Sequence, residues 1–157
     1  MRHYTSATRY IAIGDSHGCA TLLQALLSRL TLRATDTVVF LGDYIDRGPD
    51  TPGTLETLLQ FSRRHATCVF LRGNHEAMLL DFAGLTHDGT GADYLDPRNG
   101  GTATLQQYGC SAAQLAACAE YASVAARRAA CAVIPPAHLA FLAGTRMWHC
   151  TPDYLFV

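Results

Sequence analysis

Continuous apolar runs alternate along the chain with segments in which apolar side chains recur every three or four positions. Tyr10-Ile11-Ala12-Ile13 predicts a short strand ending at Gly14, after which Leu22, Leu23, Leu26, Leu27 and Leu30 fall at helical spacing. Thr37 to Leu41 repeats the strand signal. Pro52, a residue favoured at the first helical position, then opens a helix carrying Leu55, Leu58 and Leu59. Cys68 to Leu71 predicts a third strand and Glu76 to Phe82 a helix after it. Apolar strands alternating with amphipathic helices predict an α/β fold, a parallel sheet covered by helices on both faces.

Beyond Gly84 the periodicity weakens. Gly84 to Gly101 is polar and rich in Gly, Asp and Asn, which predicts a long loop, functional or mobile. Helices are expected over Thr102–Tyr108, over Ala112–Ala130 and from Pro135-Pro136 onward. Arg146–Cys150 and Tyr154–Val157 read as strands flanking a turn at Thr151-Pro152-Asp153.

The 157 residues fit one domain spanning 1–157, and 49% apolar against 16% charged residues excludes the composition of disorder. A net charge of -1 provides no general attraction for nucleic acid or an anionic membrane, and no apolar run approaches the ~20 residues of a membrane span. All twelve basic residues are Arg, so Schiff-base and P-loop lysine chemistry are excluded. The N-terminus has neither signal nor transit character. Six cysteines without a C-x-x-C pair are expected to be buried, reduced thiols, which places the protein in the cytoplasm.

Three segments put Gly-Asp or Gly-Asn at the carboxyl ends of successive strands: Gly14-Asp15-Ser16-His17-Gly18, Gly42-Asp43-Tyr44-Ile45-Asp46-Arg47-Gly48 and Gly73-Asn74-His75-Glu76. In open α/β sheets that edge binds ligands. Asp, His and Asn supply the oxygen and nitrogen donors that suit manganese, iron or zinc, and the glycines allow tight turns beside them. Each segment alone has a plain reading as a helix cap or loop histidine; their order and repeated placement favour a metal site. Arg63-Arg64-His65 reads as a solvated helix terminus whose cations complement the dipole. His3, His65, His87, His138 and His149 read as loop or surface residues.

The three segments resemble the GDxHG, GDxxDRG and GNHE signatures of calcineurin-like metallophosphoesterases of the phosphoprotein phosphatase type. Asn99-Gly100-Gly101-Thr102-Ala103-Thr104-Leu105, with Tyr108-Gly109 beyond, resembles an element of bacterial members. The resemblance implies the N-terminal part of a four-layer αββα sandwich and a site for two divalent metals, Mn, Fe or Zn. It implies that Asp15 and His17 bind the first metal, Asp43 bridges both and Asn74 binds the second. A bridging hydroxide would then attack phosphorus. His75 would protonate the leaving alkoxide with Asp46 orienting its ring, and Arg47 and Arg72 would hold the phosphoryl oxygens.

Two histidine ligands that the family gives the second metal, in a His-Ala-Gly and a later Gly-His segment, have no counterpart here. A domain incomplete at its C-terminus is therefore expected, with one metal in this chain and apolar sheet surface that a second chain could cover. Glu76 and Asp46 stand where related dinucleotide hydrolases usually carry Asp and Asn. The expected substrate is thus a phosphorylated protein or small phosphoester, with phosphoserine or phosphothreonine foremost. The alternatives are a symmetrical dinucleoside tetraphosphate hydrolase and an inactive metal- or phosphate-binding module. Neither nucleic acid nor a membrane is an expected partner.

Overall fold

The computed structural model describes residues 8–65, 67–118 and 123–157. Strands β1 (Tyr10–Ile13), β2 (Thr37–Phe40) and β3 (Cys68–Phe70) form a parallel sheet in the order β1-β2-β3, with Ile11 opposite Val38 and Val39 opposite Val69. Parallel neighbours need crossovers, which α1 (Ala20–Arg29) and α2 (Thr51–Arg64) supply. Asp50 starts α2 by accepting from the Gly53 N–H at 2.8 Å, and Arg63 and Arg64 end it where cations favour the dipole, as expected.

The carboxyl-end motifs are followed by α3 (Asn74–Phe82), a 3₁₀ turn (Thr90–Asp93), α4 (Gly101–Gln107), α5 (Ala112–Ala116), α6 (Val124–Cys131) and α7 (Pro136–Ala143). An antiparallel hairpin of β4 (His149–Cys150) and β5 (Leu155–Phe156) follows, its turn closed by the Thr151 N–H donating to the Tyr154 carbonyl at 2.8 Å. The core is continuous from β2 into the helices. Val39, Leu55, Leu58, Leu71 and Leu80 are fully buried, and Phe40 stacks on Phe70 at 4.9 Å. Each such side chain contributes about 1.5–3 kcal/mol of burial.

Several expectations require correction. The sheet is covered on both faces at β2 but not at β1, where Ala12 is exposed; β5 reaches that side only at Tyr10, whose ring lies 5.9 Å from Phe156. The helix expected over Ala112–Ala130 is two, α5 and α6, because Ser123 caps a new N-terminus by accepting from the Ala126 N–H at 3.3 Å; part of the expected span lies outside the described residues. Arg146 pairs not within the hairpin but with Leu71, extending the sheet beyond β3. The polar segment 84–101 is tied down on α3, with the Gly91 N–H donating to Asp81 Oδ2 at 2.8 Å and Tyr94 fully buried. Among the cysteines, all free, Cys110, Cys118 and Cys131 are buried, whereas Cys150 is exposed. His138 is buried in α7 and bonded to the Tyr108 hydroxyl at 2.8 Å, not a surface residue. His3 lies outside the described residues. No helix among the described residues is long and apolar enough to cross a membrane.

Candidate metal centre

The three strands end level with one another, and backbone hydrogen bonds join the loops that leave them. The Leu41 N–H donates to the Ile13 carbonyl, His17 N–H to Asp43, and Gly18 N–H to Tyr44, at 2.8–2.9 Å. Such close passage excludes side chains. Gly42, at φ 102°, would press a Cβ onto the Gly73 backbone, and a Cβ on Gly48 would fall on the His17 carbonyl.

The non-glycine residues at positive φ among those described are Asp15, His17, Asp43, Asp46 and Arg47, at 36–68°. All belong to the first two motifs. Left-handed backbone costs about 1–3 kcal/mol per residue and persists where surrounding contacts over-determine it, a condition concentrated at functional sites.

This geometry brings His17, Asp43 and His75 together, their ligand-type atoms all within 4.8 Å of one another. The His17 and His75 rings meet edge-on at 4.8 Å. His17 Nδ1 donates to the Ile45 carbonyl at 3.0 Å, which leaves its Nε2 as the acceptor. His75 Nδ1 donates to Asp46 Oδ2 at 2.8 Å, and its Nε2 is buried without a hydrogen-bond partner among the described residues. The Nε2 of His17 and the Asp43 carboxylate suit a divalent ion by donor type, and the buried, unpartnered nitrogen of His75 lies beside them, open to a proton or a ligand. Asp43 Oδ1 also accepts from the His75 N–H at 3.2 Å, placing this carboxylate at the positive end of α3.

The remaining expected residues are placed as follows. Asp46 is fully buried, its other oxygen accepting from the Tyr94 hydroxyl at 3.1 Å. Burial, reinforced by the Asp46 charge, pushes the Tyr94 phenol well above its ordinary range, so it stays a donor. Exposed Arg47 directs Nη1 to His17 Nε2 at 3.2 Å. Arg72 is docked on the end of α7: Nε donates to Thr145 Oγ1 at 3.1 Å and Nη2 to the Ala143 carbonyl at 3.0 Å. Asp15 is exposed and lies outside the three-residue group, lining a pocket with Cys19, Leu22 and Leu26. Asn74 is exposed at the first position of α3.

Several supporting residues have no structural role legible in the sequence, although Glu76 lies in the third motif. Glu76 is fully buried, and burial pushes its carboxyl up to about 7 against the pull of backbone N–H bonds from Tyr44, Gly73 and Asp43. Thr51 receives the Asp46 N–H at 3.2 Å and meets Thr104 at 3.2 Å. Gln107 accepts from the Thr51 N–H at 2.7 Å and donates to the Gly48 carbonyl at 2.9 Å. The Asn99–Leu105 segment thus leads into a helix that buttresses the second motif. Its Gly100, at φ 87°, lies against the Arg47 backbone.

A parallel α/β sheet that gathers two imidazoles and a carboxylate at its carboxyl edge belongs to the class of α/β proteins with a candidate site at the strand ends. Residues 8–113 match the family described as calcineurin-like phosphoesterase, more than half of the chain, and the chain belongs to that family. It is 41% identical over 70 residues to serine/threonine-protein phosphatase 1 of Salmonella typhimurium, covering 44% of this chain and 30% of that protein. It is 43% identical over 82 residues to the symmetrical bis(5'-nucleosyl)-tetraphosphatase of Neisseria gonorrhoeae, covering 51% of this chain and 26% of the relative. Serine/threonine-protein phosphatase 2 of Salmonella typhimurium is 41% identical over 78 residues, 49% of this chain and 33% of that protein. The matched segments thus span about a quarter to a third of these relatives.

Proposed function

We propose that this protein is a metal-dependent phosphoesterase that removes phosphate from phosphoserine or phosphothreonine in proteins. The observation that carries the reading is the convergence of His17, Asp43 and His75, with the Nε2 of His75 buried and unpartnered. A divalent ion held by His17 and Asp43, with Asp15 and Asn74 as the further ligands the resemblance implies, would supply positive charge and acidify water, and it leaves the Nε2 of His75 free for a proton. Manganese is the ion we would test first.

The protein's own groups do the rest. Asp46 fixes the ring of His75 by accepting from its Nδ1, so that Nε2, once it carries a proton, is held in place to deliver it to a departing alkoxide. Tyr94 holds the second oxygen of Asp46 and keeps that carboxylate from turning. Arg47 is exposed at the rim, and its planar fork suits phosphoryl oxygens once it leaves His17. Arg72 takes that role only by giving up bonds to α7, so we assign it second place. Six free thiols accord with a cytoplasmic site of action.

Turnover of a phosphoserine peptide and of diadenosine tetraphosphate, each with manganese, tests the reading. Faster turnover of the peptide is expected. Preference for the dinucleotide would instead assign the activity named for the Neisseria relative, and manganese binding with neither substrate hydrolysed would make the chain a binding module.

A further inference from the structure

Four backbone N–H groups from two separate loops converge on one side chain. Glu76 Oε1 accepts from Tyr44 N–H at 2.8 Å and Ile45 N–H at 3.4 Å, while Oε2 accepts from Asp43 N–H and Gly73 N–H, both at 2.8 Å. We propose that Glu76 is a positioning residue that sets the spacing between the loop carrying Asp43 and the start of α3, which carries His75, and thereby the geometry of the metal group. The inference rests on the metal-dependent reading above.

A purely local role explains only part of this arrangement. As the third residue of α3, Glu76 bonds the Gly73 N–H in the manner of a capping box. That accounts for one bond. The other three donors lie 31–33 residues earlier in the chain, on the loop after β2, and contribute nothing to capping α3. They also flank a backbone that needs restraint, because Asp43 is held at φ 51°, where a non-glycine residue is strained.

The chemistry of the acceptor is specific. An ionised carboxylate has about four lone-pair sites and no donor, which matches four convergent N–H groups. An amide in its place turns an NH₂ toward two of them. An aspartate keeps the charge but is shorter by about 1.5 Å, one carbon–carbon bond, and cannot reach both loops. Because both Glu76 oxygens are taken up by backbone N–H groups and lie outside the ligand-type group, its effect must pass through the positions of Asp43 and His75.

Glu76→Gln and Glu76→Asp, each verified as folded by circular dichroism, should be titrated calorimetrically with manganese in mildly alkaline buffer. Leu58→Ala, a buried α2 variant that disturbs none of these bonds, controls for lost stability alone. Both Glu76 variants should bind manganese about 10–100-fold more weakly than wild type, the usual effect of losing a residue that orients metal ligands. The control should stay within about twofold of wild type. Folded Glu76 variants that bind like wild type overturn the inference alone, whereas a wild type that binds no manganese overturns the metal reading with it. A control weakened as much as the variants also overturns the inference, since affinity would then follow stability. Should the variants not fold, amide exchange on wild type decides: Asp43, Tyr44 and Gly73 should exchange about 100-fold more slowly than exposed residues 87–89. Exchange at the rate of that exposed segment refutes the clamp.

Discussion

Arg47 and His17 show most directly how a single contact can govern the site. The guanidinium donates to the nitrogen of His17 that the other ring bond leaves free, so metal and arginine compete for one lone pair. A cation beside that nitrogen also repels an arriving ion. Removing Arg47 relieves about 1–1.5 kcal/mol of competing hydrogen bond, so Arg47→Ala should bind manganese about fivefold to tenfold more tightly. The same variant should bind inorganic phosphate less well, since it lacks the fork that would hold it. Calorimetric titration with each ligand checks both directions, and weaker manganese binding by the variant would show that Arg47 supports the metal instead of displacing it.

The elements that brace the site lie far from it in sequence. Helix α4 supports the second motif through Thr104 and Gln107, and α7 holds Arg72 through its terminal carbonyl groups. Between these helices and α2, buried His138 bonds the Tyr108 hydroxyl and lies 3.8 Å from Glu56. Burial lowers the pKa of His138 below its ordinary 6.5, with Glu56 opposing part of the effect. The unfolded chain therefore takes up a proton at a higher pH than the folded one. Stability from this residue is complete above 6.5 and is lost as pH falls through and below that value. Urea unfolding across this range should show the decline in wild type and a flatter dependence in His138→Gln.

For the molecule as a whole, the proposed centre implies a stoichiometry. Among the described residues, one group of His, Cys, Asp or Glu side chains has metal-ligand geometry. Equilibrium dialysis should therefore return one tightly held manganese per chain, and two would require a contribution from Asp15 and Asn74 in a rearranged loop. Ligand binding to the folded state alone stabilises it by about 2.7 kcal/mol at a hundredfold excess over Kd. Manganese should accordingly raise Tm by several degrees, and a chelator should reverse the change. The exposed side chains Met147, Trp148, Tyr154, Leu155 and Val157 gather around the β4–β5 hairpin, leaving apolar surface beside the partly open β1 edge.

Local chemistry made much of this legible before any coordinates. The apolar runs at Tyr10–Ile13, Thr37–Phe40 and Cys68–Phe70 are strands because β-branched and aromatic residues in short runs favour a pleated, buried surface. The glycine-rich motifs following them could be placed at one sheet edge because parallel strands all end on the same side. Long-range contacts carry no such signature. Tyr94 reaches Asp46 across 48 residues and Gln107 reaches Gly48 across 59, the first from a polar segment without a period and the second from a short helix whose partners its sequence does not reveal. The same holds for Asp15, which a motif groups with His17 but which the left-handed turn leaves exposed outside the cluster. Sequence by itself determined the strands, the α/β class and the residue types gathered at the strand ends, since these follow from periodicity and backbone chemistry. Only the tertiary structure decided which donors meet, because a loop's path depends on the distant groups that satisfy its buried N–H bonds, as Glu76 does for Asp43 and Tyr44.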